Sequence, residues 1–331
     1  MSATPTRTAY SILPKASGAL RRVSDGIAWF DVRTSRNIAW ARSLIAVAQL
    51  SILVFTPANF LFVPVGTEPA GPSCNAYNAW TAYCALDEFD ASYISWALVA
   101  GLILVISGFW PRVTGILHVW VTFSISTAIQ LPDGGEAAAQ VVTVFFALIL
   151  LSDNRRNHWI IDTSSRKTST LTPISWAASW GLRLQIFWIY ISASVAKFSV
   201  PEWQEGSAIY YVARQVFFGV DGPLEGLLLW ATSQPLLSLA ITWGTMIGEI
   251  AIAILVLLPY RVARFSLVLT MVFHGGIILV IGLWSFGLIM IASVLGVLAS
   301  RPTVVTVSLP PRGSAPTVTQ SRQDQVSDSR L

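Results

Sequence analysis

The amino-acid sequence predicts an all-α membrane protein, a polytopic bundle of about eight transmembrane helices. Of the 331 residues, 54% are hydrophobic and only 11% are charged, against roughly a quarter charged in an ordinary soluble domain. The mean hydropathy is +0.62, and apolar runs recur that can cross a hydrocarbon core about 30 Å thick. These observations exclude a soluble enzyme, a disordered scaffold and a nucleic-acid-binding domain. We therefore expect the lipid bilayer as a partner, and no nucleic acid.

Eight apolar runs support this fold class element by element. The fourth and the eighth run are short for a span, so we expect them to be tilted, re-entrant or extended by flanking residues. The polar, Arg-rich segment 1–38 precedes the runs, and a Ser-, Thr-, Pro- and Gln-rich segment, 302–331, follows them; we expect the latter to be a disordered tail. The transmembrane domain is thus predicted over 39–301. Its runs are 39–63, 92–109, 113–131, 137–152, 175–197, 236–258, 264–283 and 286–300.

The distribution of positive charge predicts the orientation of these helices. With an inside N-terminus, only Lys197 and Arg214 of the 21 Lys and Arg residues fall on the outside. Because positively charged loops remain in the cytoplasm, we predict that the N-terminus and the C-terminus are both cytoplasmic.

Both cysteines, Cys74 and Cys84, fall in the first predicted outside loop, residues 64–91. Two thiols at this separation in an oxidising compartment most simply form one disulfide, which stabilises the loop by about 2–3 kcal/mol on the chain-entropy model. A redox-active pair that exchanges with a client peptide is the alternative. Such pairs usually have C-x-x-C spacing and a neighbour that favours the thiolate, whereas the neighbours here are acidic.

Two ionisable residues, Glu249 and His274, lie deep within predicted spans. Each is about 14–15 Å from the inner end of its helix, near the bilayer midplane. Because a short inside loop joins the two helices, we expect a contact between Glu249 and His274. The pair is either a hydrogen-bonded structural contact between two helices or a proton relay or polar binding site, since ionisable groups in a membrane are functional candidates.

A second candidate cluster begins at the outer end of the fifth span. Lys197 ends the apolar run, Pro201 interrupts the helix, and Trp203 and Glu205 follow. Lys, Trp and Tyr are common at membrane boundaries, so interfacial anchoring is one interpretation. The other is chemical, because a lysine desolvated beside aromatic rings can serve as a base or a nucleophile.

The remaining ionisable residues considered as functional candidates lie near the predicted cytoplasmic face. For Arg42, His118 and Arg183 we expect head-group or loop contacts, and His158, in the inside loop, is expected to be solvated. Three dispersed histidines and two outside cysteines form no zinc-ligand pattern, so no metal site is predicted.

Several motifs together resemble the SdpB family of bacterial antimicrobial-peptide systems of the sporulation-delaying-protein type. They are the run SGFWPRVTGILHVWVTFSISTAIQLPDGGE at Ser107–Glu136, the following LLSDNRRNHW, the segment FLFVPVG and the two loop cysteines. The resemblance extends from the Arg-rich N-terminal segment through the eighth span. Its specific motifs are P-R-x-T-G-I-x-H and D-G-G. They supply the family-motif residues Arg112, His118, Asp133, Gly134 and Gly135.

SdpB-like proteins belong to the broader HTTM group, which resembles the membrane portion of vitamin K-dependent gamma-carboxylase. In that enzyme a lysine at a helix end, followed at this spacing by Trp-x-Glu-Gly, is the proposed base that deprotonates the hydroquinone. Lys197, Trp203, Glu205 and Gly206 match this pattern, which implies a lysine base and a quinone-like cofactor. Together with the ionisable residues found within the predicted spans, the resemblance gives four candidate catalytic residues: Lys197, Glu205, Glu249 and His274. The candidate cofactor contacts are Trp203 and Phe273.

The resemblance also implies a function. It predicts a multi-pass protein of the bacterial inner (plasma) membrane that is needed to mature or produce a secreted antimicrobial peptide toxin like the sporulation-delaying protein. The implied partners are an SdpA-like protein and an SdpC-like peptide precursor. Two alternatives to lysine-dependent chemistry stay open: a non-catalytic membrane chaperone or docking platform for the precursor, and a transport or immunity protein.

Overall fold

The computed structural model contains eight long helices, and no strand occurs among the residues that it describes. Each of them overlaps one of the eight predicted apolar runs, although the first helix ends at Phe55, eight residues before the end of the run 39–63. They are α1 (Asn37–Phe55), α2 (Ala91–Ser107), α3 (Pro111–Ala128), α4 (Gly135–Leu150), α5 (Thr172–Lys197), α6 (Pro235–Leu257), α7 (Tyr260–Ile281) and α8 (Trp284–Val297). The structure describes Ser24 and residues 30–62, 71, 72, 74–128, 134–162, 169–216, 219, 220 and 223–299.

The connections between the long helices carry short helical turns. A 3-10 turn, Val32–Thr34, precedes α1, and the predicted tail from residue 302 lies outside the described residues. Five shorter helices lie in the connections between α1 and α2 and between α5 and α6. They are Ala58–Leu61, Ala82–Ala85, Pro201–Gln204, Ala208–Val212 and Glu225–Ser233.

Local sequence sets where the long helices begin and end. Pro235 occupies the first turn of α6, a position that needs no amide hydrogen. The Asp90 side chain caps α2 by accepting a hydrogen bond from the Ser92 amide at 2.8 Å. At the other end of α2, Gly108 takes a φ of +80°, and a Cβ there would stand 2.3 Å from the His158 ring. Only glycine fits this close approach.

The lengths of the helices agree with a membrane protein. By length and composition, α1, α6 and α7 can cross a bilayer, and α2, α4 and α8 are shorter apolar helices. The shortest, α8, has 14 residues and therefore rises only about 21 Å at 1.5 Å per residue. The predicted all-helical class is confirmed, whereas eight crossings and the sides of the termini remain predictions.

Two clusters of buried apolar side chains hold the bundle together. The larger one joins α1, α4, α5, α6 and α8, and the smaller one joins α1, α2, α3 and the disulfide loop. The central helix is α8, which packs against α1, α4 and α7. The pairing that matters most for the site is α5 against α6, because both helices carry candidate residues on their facing sides.

Candidate functional site

The charged side chains of Lys197 and Glu249 meet between α5 and α6. Lys197 Nζ donates to Glu249 Oε1 at 2.8 Å and to Oε2 at 2.9 Å. A longer bond, at 3.3 Å, goes to the carbonyl of Ala193 one turn back on α5. The lysine side chain is 20% exposed and the glutamate side chain is 7% exposed. The ammonium is therefore held by both carboxylate oxygens in a largely dry environment, where such charge-assisted bonds are strong.

Helix packing fixes the geometry of this ion pair. The Ser194 hydroxyl, one residue beyond Ala193, donates to the Met246 carbonyl of α6 at 3.2 Å. Ser194 is fully buried, so the two backbones approach closely beside the charges. Both members of the pair thus lie on long helices, which hold side chains more precisely than loops do.

The segment after α5 folds back over Lys197. Pro201 begins a single helical turn that brings the Trp203 ring centroid to 5.2 Å from Lys197 Nζ, a cation–π distance. Gly206 then adopts a φ of +80° and packs on Leu239 of α6, where a Cβ would stand 3.1 Å from the Leu239 Cα atom. The Trp-x-Glu-Gly pattern therefore covers the lysine with an aromatic ring and turns the chain back against α6.

Glu205, the third residue of that pattern, does not join the ion pair. It is exposed, and within the described part of the chain its carboxylate makes no ion pair with Lys197. Asp133, the acidic residue of the D-G-G motif, lies outside the described residues.

His274 contacts a tyrosine, and the expected contact with Glu249 is not formed. The Tyr190 hydroxyl and His274 Nε2 are 2.9 Å apart, and both residues are buried. The rings of Phe273 and Phe286 flank the imidazole at centroid distances of 5.0 and 5.1 Å. The prediction of a direct Glu249–His274 pair is wrong because α5 contributes partners to both residues.

Tyr190 is a site residue that sequence reasoning missed. It precedes Lys197 by seven positions on α5, which places the two side chains on one helix face. That spacing was the available signal, because a lone tyrosine within an apolar run carries no other mark of function.

The outer loop is closed by the predicted disulfide. Cys74 and Cys84 are bonded, with 5.7 Å between their Cα atoms. The loop is also tied to α3, because Trp120 Nε1 donates to the Trp80 carbonyl at 3.0 Å and Ser124 accepts from the Ala82 amide at 2.8 Å. The predicted disulfide is confirmed, and the loop that it closes packs against α3.

A second polar cluster joins the motif residues at the opposite end of the bundle. Arg42 is fully buried in α1 and donates to Thr114 Oγ1 at 3.0 Å and to His158 Nδ1 at 3.1 Å. A guanidinium can only donate, so Nδ1 accepts and the ring proton resides on Nε2. Arg42 therefore makes the loop contact that was one of its two expected roles. The expectation for His158 is wrong, because the loop between α4 and α5 folds back against α1 and α3 and buries its side chain.

The surroundings of His158 oppose its protonation. Burial, followed by the charges of Arg42 and Arg155, lowers the pKa of His158 to about 3. His158 is therefore neutral at physiological pH and acts as a structural acceptor for the arginine.

His118 and Arg112, two further residues of the P-R-x-T-G-I-x-H motif, lie in different environments. The His118 side chain is buried in α3, and neither ring nitrogen has a hydrogen-bond partner among the described residues. Its ring nitrogens therefore make neither of the two contacts that we expected, with head groups or with a loop. Arg112 is partly exposed in the first turn of α3, where Nη2 makes a long contact of 3.5 Å with Asn154.

Known proteins match the part of the chain that contains this site. The HTTM domain family matches residues 137–299, a range that includes Tyr190, Lys197, Glu249 and His274. The sporulation-delaying protein SdpB of Bacillus subtilis (strain 168) is 33% identical over 260 residues, which cover 77% of this chain and 78% of that protein. This chain belongs to the SdpB-like HTTM family. The uncharacterized protein YitO of the same organism is 29% identical over 250 residues, covering 76% of this chain and 81% of that protein. No solved structure matches the chain.

The D-G-G motif of this SdpB-like protein precedes a buried carboxylate. Gly134 is the N-cap of α4 and Gly135 its first residue. Glu136 comes next and is buried, where it accepts bonds from Gln49 at 3.2 Å and from Ser285 at 2.7 Å. α4 begins at Gly135, two residues before the predicted run 137–152, and this earlier start places Glu136 within the helix.

Arg183 of this SdpB-like protein ties helix ends together. Its guanidinium donates to the Val256 carbonyl at 2.7 Å and to the Val297 carbonyl at 3.2 Å, at the ends of α6 and α8. A cation suits these positions because the carbonyl ends of helices carry partial negative charge. The guanidinium also donates to the carbonyl of Leu258, in the connection after α6, at 3.4 Å. Of the two expected roles, head-group contact or loop contact, the loop contact is therefore the one seen.

No metal centre competes with this assignment in the part of the chain that the structure describes. There, no group of three or more His, Cys, Asp and Glu side chains is placed to hold a metal ion. The matched range also holds the Lys197–Glu249 ion pair and the Tyr190–His274 pair, which lie between its helices.

Proposed function

We propose that this SdpB-like protein takes part in producing a secreted peptide toxin of the sporulation-delaying type, with the Lys197–Glu249 ion pair as its reactive centre. One observation carries the proposal: a lysine and a glutamate, held by two rigid helices within the HTTM domain, are joined at 2.8 Å under a tryptophan ring. Ionisable groups that are retained inside membrane helices are functional candidates by default. The similarity to the sporulation-delaying protein SdpB supports the biological setting.

The chemistry begins with a proton shared by the ion pair. Transfer of one proton from the Lys197 ammonium to Glu249 converts two charges into a neutral amine and a neutral acid. The cost of this transfer is lowered by the low dielectric around the pair. The free amine then accepts a proton from the substrate, which becomes an anion, and the regenerated ammonium stabilises that anion. Glu249 is thus the proton acceptor that turns a resting ammonium into a base.

The Tyr190–His274 pair is proposed to serve the same site. It lies on the same face of α5 as Lys197, two helical turns further from the helix end. A hydroxyl bonded to an imidazole can pass a proton in either direction, so the pair would restore the protonation state between turnovers.

The quinone-like cofactor implied by the family resemblance remains a prediction. The buried Nδ1 of His274 has no hydrogen-bond partner within the described residues, and two phenylalanine rings flank the imidazole. These groups fit an apolar ring that carries an oxygen atom, with Phe273 and Trp203 as further contacts. Such a cofactor would supply oxidation–reduction chemistry when bound.

The proposed setting is the bacterial inner (plasma) membrane. We assign eight crossings, cytoplasmic termini, a transmembrane domain over 39–301 and a site that opens outward, with Glu205 and Asp133 at its mouth. An SdpA-like protein and an SdpC-like precursor are the proposed partners.

The test compares two glutamates in the chain. Cells would co-express the protein with its partner and its precursor, and the mass and killing activity of the secreted peptide would be measured at matched membrane levels. Glu249→Gln keeps the shape but cannot accept the proton, so we expect the rate of toxin production to fall by a factor of about 100 or more. Glu202→Gln, an exposed glutamate in the turn after α5, is the control and leaves production unchanged. Normal production with Glu249→Gln would refute the reactive role of the pair.

A second candidate function rests on the disulfide loop. Tyr77 and Phe89 of this loop are 88% and 62% exposed, and the exposed Asp87 and Glu88 form no ion pair among the described residues. A loop clamped onto α3 with apolar and acidic groups outward is suited to hold a precursor while other proteins process it. In that case Cys74→Ser would abolish toxin production and Glu249→Gln would not. A transport or immunity role would instead leave precursor or product trapped in the cells.

A further inference from the structure

Three arginines at the end of the bundle opposite Lys197 have no carboxylate within 4 Å among the described residues. The side chains of Arg36 and Arg112 contact the loop between α4 and α5, and Arg156 belongs to that loop. Arg36 Nε donates to the Trp159 carbonyl at 2.9 Å, Arg112 Nη2 lies 3.5 Å from Asn154, and the Arg156 carbonyl accepts from the Trp110 amide at 2.8 Å. The arginines therefore surround one surface.

The nearby carboxylates are already neutralised by other arginines. Asp153 is bonded to Arg155 at 2.6 Å, and Asp31 and Asp162 are bonded to Arg33 at 2.9 and 3.2 Å. The positive charge of Arg36, Arg112 and Arg156 is thus uncompensated, and the position of Arg112 in the first turn of α3 adds to it, because helix starts are themselves positive.

Exposed apolar side chains stand directly beside these charges. Trp110, two residues before Arg112, is 67% exposed, and its neighbour Phe109 is 54% exposed. Phe109 also pairs with Asn157 of the loop, and Ile160 further along the loop is 62% exposed. We call this surface the inner arginine patch. Its members are Arg36, Phe109, Trp110, Arg112, Arg156 and Ile160.

We propose that the inner arginine patch binds the head group of an acidic phospholipid. A ligand that covers both parts of the patch must join an anion to an apolar chain, because three unpaired guanidiniums border exposed aromatic and aliphatic side chains. Guanidiniums match phosphate oxygens in geometry and charge. Basic patches beside tryptophan at helix ends are typical of head-group contacts. The patch lies on the side predicted to be cytoplasmic, and the assignment is independent of the Lys197 chemistry.

The experiment measures the lipid retained by the purified full-length protein. The protein would be equilibrated in micelles with phosphatidylglycerol and phosphatidylcholine and analysed by native mass spectrometry. We expect preferential retention of phosphatidylglycerol. Each arginine near an acidic lipid contributes about 1 kcal/mol, so Arg156→Gln weakens retention about fivefold and the triple Arg36, Arg112 and Arg156 to Gln variant weakens it about a hundredfold.

Matched variants keep the proposal falsifiable. Arg156→Gln changes a side chain that is exposed, so its fold is expected to survive even where the triple variant unfolds. Arg261→Gln, an exposed arginine at the same end of the bundle, is the control and retains lipid as the unmodified protein does. Equal retention by Arg156→Gln and the unmodified protein, or an equal loss with Arg261→Gln, would overturn the assignment. Displacement of the lipid by inorganic phosphate or an acidic peptide at the same concentration would also overturn it.

Discussion

Removal of one member of the Lys197–Glu249 pair should destabilise the protein more than removal of both. Breaking a buried ion pair by deleting one partner costs about 3–5 kcal/mol, because the other charge is left uncompensated. Here the Lys197 side chain keeps 20% of its exposure, so solvent offsets part of this cost. We expect a loss of about 2 kcal/mol in the free energy of unfolding for Glu249→Leu, and a similar loss for Lys197→Met.

The double variant is the informative member of the set. Replacement of both residues by apolar groups of similar size removes the charges together, and such replacements are often nearly neutral. We therefore expect the double variant to lose much less free energy of unfolding than the two single variants lose in sum. The difference, the coupling energy, should be at least about 1 kcal/mol.

The assay is reversible unfolding in detergent, followed by the fluorescence of tryptophan, with all four proteins compared at one temperature. Because Lys197 and Glu249 share one contact, additive losses would mean that the two side chains do not interact in the folded protein. That result would refute the geometry on which the proposed chemistry depends.

Three further predictions address other parts of the molecule. The pKa of about 3 for His158, below its ordinary value near 6.5, means that between these values the unfolded chain binds a proton that the folded chain excludes. The free energy of unfolding should therefore fall as the pH is lowered through this window, by at most about 1.4 kcal/mol per pH unit from this group, and equilibrium unfolding of His158→Gln should lack that part of the slope. Gly206 has a φ of +80°, so Gly206→Ala should lower the free energy of unfolding by about 1–3 kcal/mol. An unchanged melting temperature would contradict this backbone conformation at Gly206. Cys74→Ser should lower stability by about 2–3 kcal/mol, and a reducing agent should have the same effect on the unmodified protein and none on the variant.

The helical architecture could be predicted because hydropathy and helix length are local properties. The run at 175–197 and the helix Thr172–Lys197 end at the same residue, since Lys197 is the first charge after a long apolar stretch. The disulfide followed in the same way from two cysteines in one loop. Each inference used residues close in the chain.

The partners within the site could not be predicted, because they depend on which helices are neighbours. Equal depth and a short connecting loop suggested that Glu249 and His274 touch, yet α5 supplies Lys197 to one and Tyr190 to the other. Similarly, the polar residues around His158 predict a solvated loop. In the structure that loop folds beneath the bundle, and its histidine binds the buried Arg42. Charge and depth are readable from sequence, and the partner across a helix interface is not.

The central claim is that Lys197 transfers a proton, and the mass of the secreted peptide from cells that carry Lys197→Arg tests it most directly. Arginine keeps the positive charge and can still bond to Glu249, but it does not give up its proton. At matched membrane levels, with Lys197→Ala beside it, the account predicts that the mature peptide mass disappears in both variants. The same mature peptide from Lys197→Arg would contradict the account and favour a docking role for the outer loop.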